Sequence, residues 1–231
     1  MKRFVIELMD VPYLAAPSVA NLDVNLTALK IARYRQGHSN KTYDGVFQQV
    51  ADMTTGMASV AALKAAFEGV KDPAWKAQLQ DVSERLYGIF GRGVSRWYAA
   101  DRKPRELFDR TWFKHAIRGV WVRERKATAT LVNARKGLCF NPTDRAFLAR
   151  GIYEFYLRDD PNIHDQLIVD LGAAPRTDAR ATRLYTSAEV EPMALEQFEA
   201  ILKSFLRAVE RAGFSTQPAA GQSIADLFRK K

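Results

Sequence analysis

Cysteine is almost missing from this chain of 231 residues. Cys139 stands alone, which excludes an internal disulfide and any zinc site built on cysteines. Its place in the run Leu138-Cys139-Phe140 reads as that of a small buried hydrophobe. Histidine is nearly as scarce: a catalytic triad would have to draw on His38, His115 or His164, and none lies in the context of a nucleophile elbow. Acids are short as well, 26 Asp and Glu against 35 Lys and Arg, for a net charge of +9 and a pI near 9.7. That balance calls for a polyanionic partner: nucleic acid, an anionic membrane surface or an acidic protein. The opening stretch Met1–Asp10 carries two positive charges, but charged residues interrupt its apolar positions. It is too short for a signal peptide and far too short to span a membrane, so the expectation is a cytoplasmic chain without membrane contact. No internal repeat or heptad array is present.

What the chain has in plenty is material for a core: 47% of its residues are hydrophobic and 11% aromatic. One globular body, single or bilobed, is expected over residues 1–213, followed by a flexible tail 214–231 that carries a terminal peptide 222–231. Residues 2–9 alternate as a strand. Residues 25–36, 43–53 and 56–70 have helical patterns, and Asp72-Pro73 is a helix start with Asp as the capping residue. Trp75, Leu79, Val82, Leu86 and Phe90 then mark one apolar helix face, and Gly88, Gly91 and Gly93 weaken its end. Residues 102–118 read as a helix with Lys103, Arg110, Lys114 and Arg118 in one arc. From Gly119 the pattern becomes strand, with Asn133–Gly137 as a hairpin turn before Leu138-Cys139-Phe140 returns. Asn141-Pro142-Thr143-Asp144 starts another helix, the run ending at Leu171-Gly172 reads as a short apolar helix, and 191–213 is the cleanest amphipathic helix. The expected fold is therefore predominantly α (α+β): a multi-helix body with a small antiparallel β-hairpin around residues 119–140.

Charge is concentrated between Arg102 and Lys136. Eleven Lys and Arg face three acids there, a net +8 out of the chain's +9, with Phe108, Trp112, Phe113 and Trp121 interleaved. Cations meet phosphates and planar rings stack on bases, so the block reads as a nucleic-acid surface, DNA in preference to RNA. Arg110, Lys114, Arg118, Arg123, Arg125, Arg135 and Lys136 are the phosphate candidates, and Trp121 the stacking one. Helices followed by a hairpin with a cationic tip resemble the winged-helix DNA binders in their order of elements. The function expected is a non-enzymatic nucleic-acid-binding protein of a bacterial or mobile-element replication, repair or defence system, with no cofactor.

Two alternatives stand beside it. Asp159, Asp160, His164, Asp165 and Asp170 are the residue types that hold Mg²⁺ or Mn²⁺ for phosphodiester hydrolysis. His164-Asp165, with His115 upstream, resembles the pattern of the helical HD phosphohydrolases, and that resemblance implies a metal-dependent nuclease or phosphohydrolase. The peptide Ser223-Ile224-Ala225-Asp226-Leu227-Phe228 is similar to those by which bacterial replication and repair proteins dock into the sliding clamp, which implies an adaptor using Ile224, Leu227 and Phe228.

Overall fold

The computed structural model describes residues 2–3, 7–36, 42–100, 105–108, 111–113, 117–173 and 177–215. In chain order the elements are β1 (Lys2–Arg3), α1 (Asp10–Leu14), α2 (Val24–Gln36), α3 (Asp44–Gln48), α4 (Val50–Thr54), α5 (Val60–Ala65), α6 (Pro73–Phe90), β2 (Ser95–Ala99), β3 (Arg105–Phe108), β4 (Thr111–Phe113), β5 (Gly119–Arg123), β6 (Lys126–Asn133) and α7 (Pro142–Ile152). A π-helical turn (Tyr153–Leu157), β7 (Asp165–Asp170), β8 (Arg183–Thr186), α8 (Leu195–Arg211) and β9 (Phe214–Ser215) complete them.

A five-stranded mixed sheet in the order β2-β5-β6-β7-β8 organises the chain. Strands β6 and β7 are parallel, and the other neighbours are antiparallel. The two central strands alternate between two cores. Ala129, Leu131 and Ile168 face a layer made by α1, α2, α7 and α8, whereas Val132, Leu167 and Val169 face one made by α3–α6. Helices therefore pack on both faces, as parallel neighbours require when a helix such as α7 makes the crossover between them. No helix among the described residues is long and apolar enough to cross a membrane.

This architecture corrects the expectation of a helical body with a small hairpin in winged-helix order: the fold is α+β around a mixed sheet. Three local features account for the difference. Gln166–Asp170 is a strand buried on both faces, and a short run of that kind lacks the alternation that separates strand from helix. The hairpin turn is at Glu124-Arg125, so Asn133–Gly137 leads into the α7 crossover instead of back into a hairpin. Residues 105–108 and 111–113 pair as β3 and β4, where a helix was expected. The unexpected strand β2 is an edge strand after the glycine-rich end of α6.

Helix starts follow the sequence more directly. The Asp72 carboxylate accepts from the backbone N–H of Ala74 and Trp75 at 3.0 and 3.1 Å, ahead of Pro73. Asn141 and Asp144 form a reciprocal capping box on α7. Helix α8, with Phe198, Ile201, Leu202, Phe205, Ala208 and Val209 buried, ends before Gly213 at φ +83°.

Candidate functional site

The hairpin of β5 and β6 turns through Glu124 (φ 52°) and Arg125 (φ 65°), a two-residue connection of the kind whose backbone twist suits a hairpin. It exposes Arg123, Arg125 and Lys126. Across β5, Ser95 of β2 stands opposite Arg123 and Arg96 opposite Val122, so the exposed Arg96 and the Arg92 loop approach the same end of the sheet. Arg92, Arg96, Arg123, Arg125 and Lys126 thus form a cationic rim. Among the described residues of this rim the single acid is Glu124, whose carboxylate lies 3.2 Å from Arg123, an exposed contact of small energy. Tyr98, 52% exposed, shares a strand face with Arg96. On the β7 side of this sheet end the sign reverses, with Asp159, Asp160 and Asp165 near the start of that strand.

The residues singled out from sequence separate in space. Arg123 and Arg125 belong to the rim. Arg118 is held near Asp44 at 3.9 Å and lies over the Phe47 ring. Arg135 pairs with the buried Asp10 at 2.8 Å and covers Tyr13, at the opposite end of β6, and Lys136 stands 3.8 Å from Asp178. The Trp121 ring packs edge-on against Phe90, centroids 5.1 Å apart, beside Trp97 in the α3–α6 core. Arg110, Lys114 and the tail residues Ile224, Leu227 and Phe228 lie outside the described residues. Arg92, Arg96, Lys126 and Tyr98 went unselected, although the alternation of Arg96 and Tyr98 with Ser95 and Trp97 was a readable strand signal.

The acid cluster does not assemble. Asp159 pairs with Arg158 at 3.0 Å, Asp160 accepts from the Asn162 N–H at 3.0 Å, and His164 Nδ1 accepts from the Ala127 N–H at 3.3 Å. Asp165 takes the Ser187 hydroxyl, and Asp170 is buried five residues further along β7. Among the described residues no group of three or more His, Cys, Asp or Glu is placed to hold a metal ion, and His115 lies outside them.

At the carboxyl end of β6 and β7 the loop into α7 folds over Asp170, which is 0% exposed. One oxygen accepts from Asn133 Nδ2 at 2.8 Å and the Gly172 N–H at 2.9 Å. The other accepts from the Phe140 N–H at 3.0 Å, with Arg183 at 3.5 Å. Asn133 also donates to the Leu138 carbonyl at 2.7 Å. The loop closes so tightly that a Cβ on Gly172 would sit 1.9 Å from that same carbonyl. Burial and the neighbouring Asp170 push the Cys139 thiol up, away from thiolate reactivity.

Beside this loop is a cleft of about 620 Å³ between the α1–α2 segment and the start of α7, lined by Tyr13, Lys30, Arg33, Tyr34, Asn141 and Asp144 among others. Burial pushes the Asp144 carboxyl up to about 6, against the Asn141 N–H that favours its charge. Burial also lowers Lys30. Between the ordinary value of 3.8 and about 6 the folded chain holds the Asp144 proton more firmly than the unfolded chain does. Asp144 therefore makes stability fall as pH rises through that window. Asp144→Asn removes the effect, so the urea-measured stability of the variant relative to the native chain should increase from pH 4 to pH 6 and level off above; a constant difference would contradict the shift.

No family model, curated protein or solved structure matches the chain.

Proposed function

We propose that the protein binds nucleic acid, DNA in preference to RNA, through the cationic rim at the β5–β6 hairpin. The observation that supports this is the convergence of Arg92, Arg96, Arg123, Arg125 and Lys126, all exposed, on one end of the sheet with Glu124 as the one acid among them. Arg123, Arg125 and Lys126 come from a single tight turn, and Arg92 and Arg96 from β2 and the loop before it. Arginine forks suit phosphate oxygens in pairs, and a row of separated cations follows a phosphate backbone better than it follows a compact anion. The exposed Tyr98 ring on the same strand as Arg96 supports the reading as an available stacking surface, a role that the packed Trp121 cannot fill without leaving the core.

The test is an anisotropy titration of a labelled DNA duplex and a labelled single strand at low salt. The triple variant Arg123→Glu, Arg125→Glu, Lys126→Glu should bind about a hundredfold more weakly than the native chain, since six units of charge change at the contact. Its urea midpoint should not move, because these side chains are exposed. Undiminished binding by the triple variant would remove the rim from the interface.

A further inference from the structure

The cleft at the other end of the sheet has features that the rim does not explain. Strand β6 has eight residues, so the cleft lies about 25 Å from the hairpin turn. Its two cations, Lys30 and Arg33, are one helical turn apart on α2 and therefore face the same way. Arg33 has no ion pair among the described residues. Among the described residues Lys30 makes a long 3.5 Å contact to the Ala15 carbonyl, lies over the Tyr13 ring at 5.8 Å and is attracted by Asp144 at longer range. Asp144 faces them from the start of α7, but no ion pair joins it to Lys30, so the space between the elements is left open instead of being closed by a salt bridge. Two cations that form no ion pair with the described residues, at a concave site of this size flanked by Tyr13 and Tyr34, make a small-molecule pocket with a few convergent polar groups.

We infer that the cleft binds a small organic oxyanion, a phosphate monoester or a carboxylate on a compact ring, gripped by Lys30 and Arg33 and flanked by Tyr13 and Tyr34. The Arg33 fork and the Lys30 point charge are complementary to such a head group, and the tyrosine rings offer apolar contact to its body. Among the described residues Asp144 is the one acid lining the cleft, and its carboxylate opposes the ligand's charge.

Phenyl phosphate and benzoate are the probes, titrated separately into the full chain by calorimetry at pH 8; the arm that saturates identifies the head group. At least one should bind, and Lys30→Ala with Arg33→Ala should weaken it by about tenfold or more. The rim variant Arg123→Glu, Arg125→Glu, Lys126→Glu should bind the probe as the native chain does, which keeps this site independent of the nucleic-acid reading. Asp144→Asn should bind the probe more tightly, since a like charge is removed. Saturation by neither probe, an unchanged affinity in the α2 double variant, or weaker binding by Asp144→Asn would each overturn the assignment. Circular dichroism of each variant shows whether a loss reflects misfolding, and the exposed Lys30 and Arg33 positions make misfolding the lesser concern.

Discussion

Replacing Asp170 by alanine is expected to destabilise the protein by about 3–5 kcal/mol, the range for breaking a fully buried charged hydrogen-bond network by removing one member. The carboxylate is the common acceptor for Asn133, for the backbone N–H groups of Phe140 and Gly172, and for Arg183. Without it these donors remain in a site that water does not reach, because Asp170 is completely covered. Asparagine does not restore the site, since its amide N–H₂ would be turned toward at least one of the backbone donors. Urea unfolding followed by tryptophan fluorescence measures the loss, with the exposed Asp178→Ala as a control expected within about 0.5 kcal/mol of the native chain. A loss below about 1 kcal/mol for Asp170→Ala would mean that the loop into α7 does not depend on this carboxylate.

Arg180→Ala should have an effect of similar size, about 3–5 kcal/mol, for a related reason. The guanidinium, 2% exposed, donates to the carbonyls of Ala134 and Leu171 at 2.7 and 2.9 Å and to the Tyr43 hydroxyl at 2.7 Å, and it lies 3.3 Å from Asp81. It thereby ties the ends of β6 and β7 to the start of α3 and to α6 on the far side of the sheet. Removing it leaves the two carbonyls without this donor and takes one partner each from the Tyr43 hydroxyl, which keeps Gln78, and from Asp81, which keeps Arg85. Arg180→Lys should recover only part of the loss, because a single ammonium cannot reach acceptors spread around a planar fork. Thermal and urea unfolding of both variants decide this, and equal stability of Arg180→Lys and the native chain would show that charge alone suffices.

Both residues show how unevenly the fold is written in the sequence. Helix caps are local, so Asp72-Pro73 and Asn141-Pro142 announce α6 and α7 within three or four residues, and the long face of α8 repeats often enough to be unmistakable. The parallel pairing of β6 with β7 is not local. It joins segments separated by the whole of α7, and Leu167-Ile168-Val169, buried on both faces, displays no period that marks it as strand. Asp170 and Arg180 look like members of an acidic stretch and a basic linker, because their partners are set by that pairing.

The candidate interface is legible in composition and illegible in placement. A cationic hairpin tip was expected at Arg135 and Lys136, since Asn133–Gly137 has turn residues whereas Glu124-Arg125 has none of the usual signals for positive φ. The cleft could not be anticipated at all. Tyr13, Lys30, Arg33 and Asp144 come from three segments more than a hundred residues apart at the extremes, and each taken singly is an ordinary surface or helix residue.

The salt dependence of DNA affinity bears most directly on the central claim, measured for the native chain and for a variant with Arg92, Arg96, Arg123, Arg125 and Lys126 all changed to Gln. Counterion release predicts a steep fall in affinity with salt for the native chain and, with five cations removed, a log–log slope smaller by about 4.5 in the variant, close to one unit for each phosphate that is no longer neutralised. The same slope in both proteins, or no binding by the native chain at low salt, would contradict the assignment of the rim as the nucleic-acid interface.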